Sequence, residues 1–296
     1  MTRRDAATIG YLFAFLSAVT GAVRYNLAVF AEPRGIPFIP FLALILCVGV
    51  VCSGIHVLVR EGAAGFKPLT GRWWHALAYG VLMGFGTLTH FWALNYLNET
   101  VLTSLSQASI LITIGLAVWL LDERFTRGEW LATIVICSGV FILKPWGGGS
   151  VEWRGLLILL AGLTTASLAT VGAKRWVLGT PPSVLMFWRN LLALGIVGGH
   201  LAVFPEPYTV TPGTIAAVVA AGIMGPYLHG LFFLYALTRI DAAKAALTNR
   251  VQPAVVFLLS WTLLDRLPDG RETAAAVFLA VGAFWLASLR ARQAAR

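Results

Sequence analysis

The decapeptide LLDERFTRGE at residues 120–129 returns as LLDRLPDGRE at residues 263–272. A constant shift of 143 positions carries residues 93–143 onto 236–286 without a gap. Ala93 and Leu94 fall on Ala236 and Leu237, Glu129 on Glu272, Gly139 on Gly282 and Phe141 on Phe284. Apolar matches mean little in a chain this rich in leucine and alanine. Matched acids and glycines at one offset mean more, and they mark two copies of one unit.

Composition says what solvent the unit is built for. The chain has 296 residues, 58% of them hydrophobic and 12% charged, against about 25% charged in a soluble domain. Apolar runs of roughly 20 residues, enough to cross a hydrocarbon core, recur throughout. Ten spans are predicted, at 9–30, 39–59, 74–95, 101–121, 130–144, 154–173, 183–204, 215–237, 242–264 and 271–289. Each copy then holds five, an odd number, so the second copy enters the membrane upside down. Inverted repeats of this kind mark transporters, with the substrate site near midplane between the halves. The expected fold is an all-α integral membrane protein, ten transmembrane helices forming two inverted five-helix repeats around a central cavity. The repeats are assigned to residues 1–146 and 147–296.

The net charge of +9 does not call for a nucleic acid, because the basic residues lie scattered in short loops. With the N-terminus inside, fourteen lysines and arginines fall on the cytoplasmic side, among them Arg3, Arg4, Arg124, Arg127, Lys174 and Lys244. Five fall opposite: Arg34, Lys144, Arg154, Arg266 and Arg271. That bias places both termini in the cytoplasm of a multi-pass inner-membrane protein. The opening MTRRD and its apolar run mimic a signal peptide, but Arg24 interrupts a run too long for one, so it reads as the first span. Cys47, Cys52 and Cys137 sit in apolar runs without disulfide or metal spacing. HExxH, CxxC and glycine-rich phosphate loops are all missing, which argues against an enzyme and against any cofactor.

The segments SILITIGLAVWLLDERFTRGEWLATIVICSGVFIL (109–143) and VQPAVVFLLSWTLLDRLPDGRETAAAVFLAVGAFWLAS (251–288) resemble the EamA repeat of the drug/metabolite transporter superfamily. That repeat reads as a proline-containing apolar helix, an LLxE turn and a glycine-bearing helix. Two departures occur: Ile110 stands at the proline position of the first copy, and Arg266 at the glutamate position of the second. Within the superfamily, MFWRNLLALG (186–195) and the aromatic eighth span are most similar to the YddG-type aromatic amino-acid exporters. The resemblance implies a cavity lined by spans three, four, eight and nine, gating by spans one, two, six and seven, and peripheral spans five and ten.

Candidate substrate contacts follow from helical spacing. Tyr79, Met83, Gly86 and His90 share one face of span three, a stripe suited to an amphipathic solute or to ordinary packing. Gly80 and Gly84 form a GxxxG on the same helix, favouring close helix contact. Ser104 and Gln107 are neighbours on span four, and Leu247 and Arg250 are their repeat equivalents in span nine. There Asn249, Arg250 and Gln252 precede Pro253, which opens the helix and creates a polar niche. Arg250 either clamps a carboxylate bidentately or snorkels and pairs with a loop acid such as Asp241. Tyr227 lies on one face of span eight with Gly230 and Leu234, beside Pro226 and His229, as a cavity wall opposite Tyr79 or an interfacial anchor. Trp188 and Arg189, at the start of span seven, suit a headgroup belt or a gate; Arg24 faces the cavity or the outer headgroups.

All thirteen acids fall in loops or at span ends, so no midplane carboxylate is available to carry a proton or sodium ion. The expected function is export of aromatic or other apolar amino acids by alternating access, as a monomeric facilitator. The alternative is an organophosphate, nucleotide-sugar or other metabolite carrier, which requires more than one basic residue in the cavity.

Overall fold

The computed structural model describes residues 3–31, 34–66, 73–93, 96, 106, 109–142, 152–176, 179–252, 255 and 270–293, with no strand among them. Among the described residues ten helices lie in the ten apolar runs, with a short 3-10 turn at Ala63–Phe66. They are α1 (Arg3–Ala31), α2 (Phe38–Glu61), α3 (Trp73–Trp92), α4 (Ser109–Leu121), α5 (Arg127–Ile142), α6 (Trp153–Trp176), α7 (Pro182–Val203), α8 (Pro212–Leu237), α9 (Ala242–Asn249) and α10 (Gly270–Gln293). Five of them, α1, α2, α6, α7 and α8, are long and apolar enough to cross a membrane by themselves. The protein is an all-helical membrane protein.

α8 departs from regular geometry. Thr211 caps its start in a reciprocal box with Thr214, and Pro212 occupies the first turn, where a missing N–H costs nothing. Within the helix, Ile223–His229 winds as a π-helix containing Pro226. Proline cannot donate and crowds the preceding turn, and widening the turn is one way to accommodate it. Side chains of neighbouring helices then take up backbone carbonyls in this stretch.

α3 lies between α6 and α7, α7 packs on α2, and α8 is flanked by α1 and α2. The GxxxG makes the α3–α7 contact possible: a Cβ at Gly80 would overlap Leu192, and one at Gly84 would overlap Ala193 and Ile196. Most contacts of α5 are with α10, outside the main bundle.

The two ends of the bundle are built differently. At one end, Thr209 N–H donates to Gly35 carbonyl at 3.0 Å, and Gly35 has φ 94°, a conformation glycine adopts freely. At the other, the decapeptide of the first repeat supplies a set of helix caps. Asp122 takes the left-handed conformation (φ 54°) as α4 ends. Glu123 accepts from Ala242 N–H at 2.7 Å and Ala243 N–H at 3.1 Å, a carboxylate at the positive end of α9. Burial pushes the Glu123 carboxyl above its ordinary 4.5, with the Ala242 N–H pulling the other way. Thr126 and Glu129 form a capping box for α5, with Glu129 Oε2 accepting from Thr126 N–H (2.8 Å) and Oγ1 (2.9 Å). The other oxygen of Glu129 takes Lys244 Nζ at 2.9 Å, and Lys244 also meets Asp241 at 2.6 Å. Lys174 donates to the carbonyls of Leu237 (2.8 Å) and Ile240 (2.6 Å), closing α8. Counted from sequence among the charges of the cytoplasmic side, Lys244 is nonetheless buried, as is Glu129.

Candidate functional site

The polar interior is assembled around the π segment of α8. Asn190, fully buried near the middle of α7, donates Nδ2 to Pro226 carbonyl at 3.1 Å and Gly49 carbonyl at 3.3 Å. Two carbonyl partners fix the amide orientation, and the buried Oδ1 has no hydrogen-bond partner among the described residues. One turn further along α8, Ser17 Oγ donates to His229 carbonyl at 2.9 Å. His229 Nδ1 lies 2.8 Å from Ser17 carbonyl. A carbonyl only accepts, so the ring proton sits on Nδ1 and Nε2 is the basic nitrogen. α1, α2 and α7 thus hold the widened turn from three directions.

A guanidinium lies to either side of it. Arg189 is 6% exposed and rests against Gly230, where a Cβ would overlap Arg189 Nη1 and Met186. Nη1 donates to Met186 Sδ at 3.7 Å, a soft and weak acceptor. Nε, also buried, has no hydrogen-bond partner among the described residues. Among the described residues Arg189 has no carboxylate partner. Arg24 packs its aliphatic stem on Gly225, and its charge acts on His90, Arg189 and His229.

The other residues singled out from sequence are dispersed over the bundle. Tyr79 is buried near Arg189 and edge-on to Trp176, ring centroids 6.2 Å apart. Met83 packs against the same apolar cluster, and Trp188 borders it. Gly86, by contrast, faces α6, where a Cβ would crowd Gly162 carbonyl and Ala166. His90 meets Ser106 Oγ at 3.4 Å. Tyr227 shares a 2.8 Å hydrogen bond with His56 of α2. Arg250 stands apart from this centre: it ends α9 and donates Nη2 to Ser109 Oγ of α4 at 2.7 Å. It does so beside Thr113 and Ser167, which are hydrogen-bonded to each other and to Ser109 carbonyl. Asp241 pairs with Lys244 at the end of the bundle. Asn249 is half-buried beside Arg250, its Oδ1 without a hydrogen bond. Ser104, Gln107 and Pro253 lie outside the described residues.

Sequence reasoning gave Arg189 to a belt or a gate and passed over Asn190, Ser17 and His56. The signal for the first two was the Arg-Asn pair two turns into an apolar run, deeper than a headgroup residue needs to be. His56 and Ser17 carried no comparable signal.

Helices enclosing buried guanidinium, imidazole and amide groups fit a membrane transporter of small molecules, because such groups persist at membrane depth only against protein or water. The chain belongs to the EamA-like transporter family, whose model matches residues 8–144 and 153–288. It is 27% identical to the uncharacterized transporter YcxC of Bacillus subtilis, over 60% of this chain and 61% of that one. It is 24% identical to the S-adenosylmethionine uptake transporter of Rickettsia prowazekii over 68% of this chain and 67% of the relative. It is 28% identical to protein RarD of Escherichia coli over 69% of each. The matched region thus spans about three-fifths to two-thirds of these relatives' lengths. A solved structure described only as "Crystal structure of protein" shares the fold, with a TM-score of 0.78 at 21% identity over 98% of either chain.

Proposed function

We propose that this protein carries small carboxylate-bearing metabolites, amino acids foremost, across the inner membrane by alternating access. It acts as an exporter of aromatic or other apolar amino acids, as a monomer with both termini cytoplasmic and without a coupled ion. The observation that carries this reading is Arg189, a guanidinium buried in the membrane interior that rests on a thioether. Burying a charge is costly unless it is paired, and a substrate carboxylate meets a guanidinium bidentately. Removing that carboxylate returns the side chain to Met186, so the grip is reversible. Tyr79 and Tyr227 with Met83 offer apolar surface beside it, as an aromatic or aliphatic side chain requires. With the halves divided at 146/147, Arg189 comes from the second repeat and Tyr79 from the first, so the grip draws on both. The Rickettsia relative's namesake, S-adenosylmethionine, also ends in an amino-acid carboxylate.

A second reading, transport of organic phosphates, is favoured by Arg24, whose charge reaches Arg189. Counterflow separates the two. Proteoliposomes loaded with phenylalanine are given labelled phenylalanine, threonine or a sugar phosphate without an ion gradient. Accumulation of labelled amino acid with exclusion of sugar phosphate supports the amino-acid carrier. Exchange of sugar phosphate alone transfers the assignment to the second reading.

A further inference from the structure

Two arginines of the bundle interior stand toward opposite ends of it. Arg189 lies seven residues into α7 from Pro182, and Arg24 lies seven residues from the far end of α1 at Ala31. At 1.5 Å per residue each is about 10 Å from its own end of the bundle. Those ends are opposite: Ser183 bonds Glu61 at the capped end, whereas Ala31 packs with Ile36 and Ile39 at the Thr209 end.

α8 gives the same ordering independently. Arg189 occupies the space over Gly230, just beyond the π segment, and Arg24 the space over Gly225, just before Pro226. Five residues separate the two glycines, about 7 Å along the helix. Between them lie the bonds of Asn190 to Pro226 and of Ser17 to His229. The wide turn therefore stands between two guanidinium groups supplied by helices of different repeats.

We infer that one substrate anion is held by Arg189 when the cavity opens toward the capped end, and by Arg24 when it opens toward the Thr209 end. This rests on the anion reading above. A single fixed arginine would have to serve both openings from one depth. Two arginines at matched depths let each opening present a cation about 10 Å inside its own mouth. The carboxylate then exchanges one guanidinium for the other across a short step while the gates alternate. Arg24 need not be idle in the structure seen here. It requires only that an anion compete for it in the opposite state.

The test is sidedness. Proteoliposomes are sorted by orientation with a tag on the C-terminus, and labelled phenylalanine is supplied from one face at a time. Arg189→Gln is expected to raise KM roughly ten-fold or more from the capped end, as loss of charge-assisted hydrogen bonds does, and to leave KM from the Thr209 end within about two-fold. Arg24→Gln is expected to do the reverse. A mutation cannot change the equilibrium of a facilitator, so kcat/KM stays equal from the two faces, and the altered KM appears with a matching change in kcat. Arg→Lys at each position, which keeps the charge and loses the bidentate geometry, should give a smaller shift on the same face and guards against misfolding of the Gln variants. Equal KM shifts from both faces in either variant, or an Arg24→Gln variant indistinguishable from wild type, would overturn the two-position inference while leaving the carrier standing. Wild-type protein that moves no carboxylate at all overturns the reading beneath it.

Discussion

Replacing Lys244 with methionine removes the cation from a site where its side chain is 1% exposed and that of Glu129 is 0% exposed. Glu129 Oε1 loses its 2.9 Å partner but stays buried, and Oε2 keeps both bonds to Thr126. Breaking a buried pair from one side costs about 3–5 kcal/mol. Asp241, 35% exposed, is resolvated easily, and the Thr126 bonds persist. The low end of that range, about 3 kcal/mol, is therefore expected. Glu129→Gln should cost less, about 1–2 kcal/mol. The amide can still accept from Thr126, and Lys244 keeps its 2.6 Å contact with Asp241. The double variant buries no unpaired charge, so it should recover to within about 1 kcal/mol of wild type, with a strongly non-additive cycle. Equilibrium unfolding in mixed micelles titrated with dodecyl sulfate measures all four proteins. Additive losses, or a Lys244→Met variant as stable as wild type, would show that the cap network at this end is not an interacting unit.

Asn190→Leu should cost about 2 kcal/mol in the same assay, because Pro226 and Gly49 carbonyls lose their buried donor; an unchanged midpoint would mean the widened turn is self-supporting. Gly230→Ala places a methyl where Arg189 Nη1 and Met186 now sit. Phenylalanine KM should rise roughly ten-fold while the protein still purifies as a monodisperse species, and unaltered kinetics would remove Arg189 from the substrate path. The carboxyl of Glu123 is raised by burial, so the folded chain holds a proton that the unfolded chain releases. That contribution is complete below the ordinary value of 4.5 and is lost as pH climbs through the raised one. Wild-type stability should therefore fall over that window relative to Glu123→Gln, and parallel pH profiles of the two would contradict it.

The architecture was legible because a membrane makes its demands in sequence. Spans need long apolar runs, and the shared LLD and Glu129–Glu272 matches reveal the repeat. Caps were half legible: the Thr-x-x-Glu at 126–129 is a helix start on paper, but its partner Lys244 lies more than a hundred residues away and no local pattern joins them. The central site was least legible. Arginine beside tryptophan near the start of a span reads as a headgroup anchor, and only the length of α7 before Arg189 and the gap at Gly230 place it inside. Pro226 drew notice only as a neighbour of Tyr227, and nothing local says that its turn widens into a π-helix. Arg250, the most conspicuous charge in its segment, is tied to Ser109 of the other repeat at 2.7 Å, a pairing that depends on how the two halves meet.

The marriage of α5 to α10 bears on how the chain is made. Gly282 lies so near Ile136 that a Cβ would overlap it, and Gly128 faces Leu289. The partner that covers this flank of α5 is thus a helix made more than a hundred residues later in the chain. At ordinary elongation rates it arrives on the order of ten seconds later. Until then Ala132 and Ile136, both fully buried in the finished protein, must face lipid or be shielded by insertion machinery. A ribosome stalled before residue 270 should therefore leave an intermediate with one lateral seam open, and α10 closes it from outside.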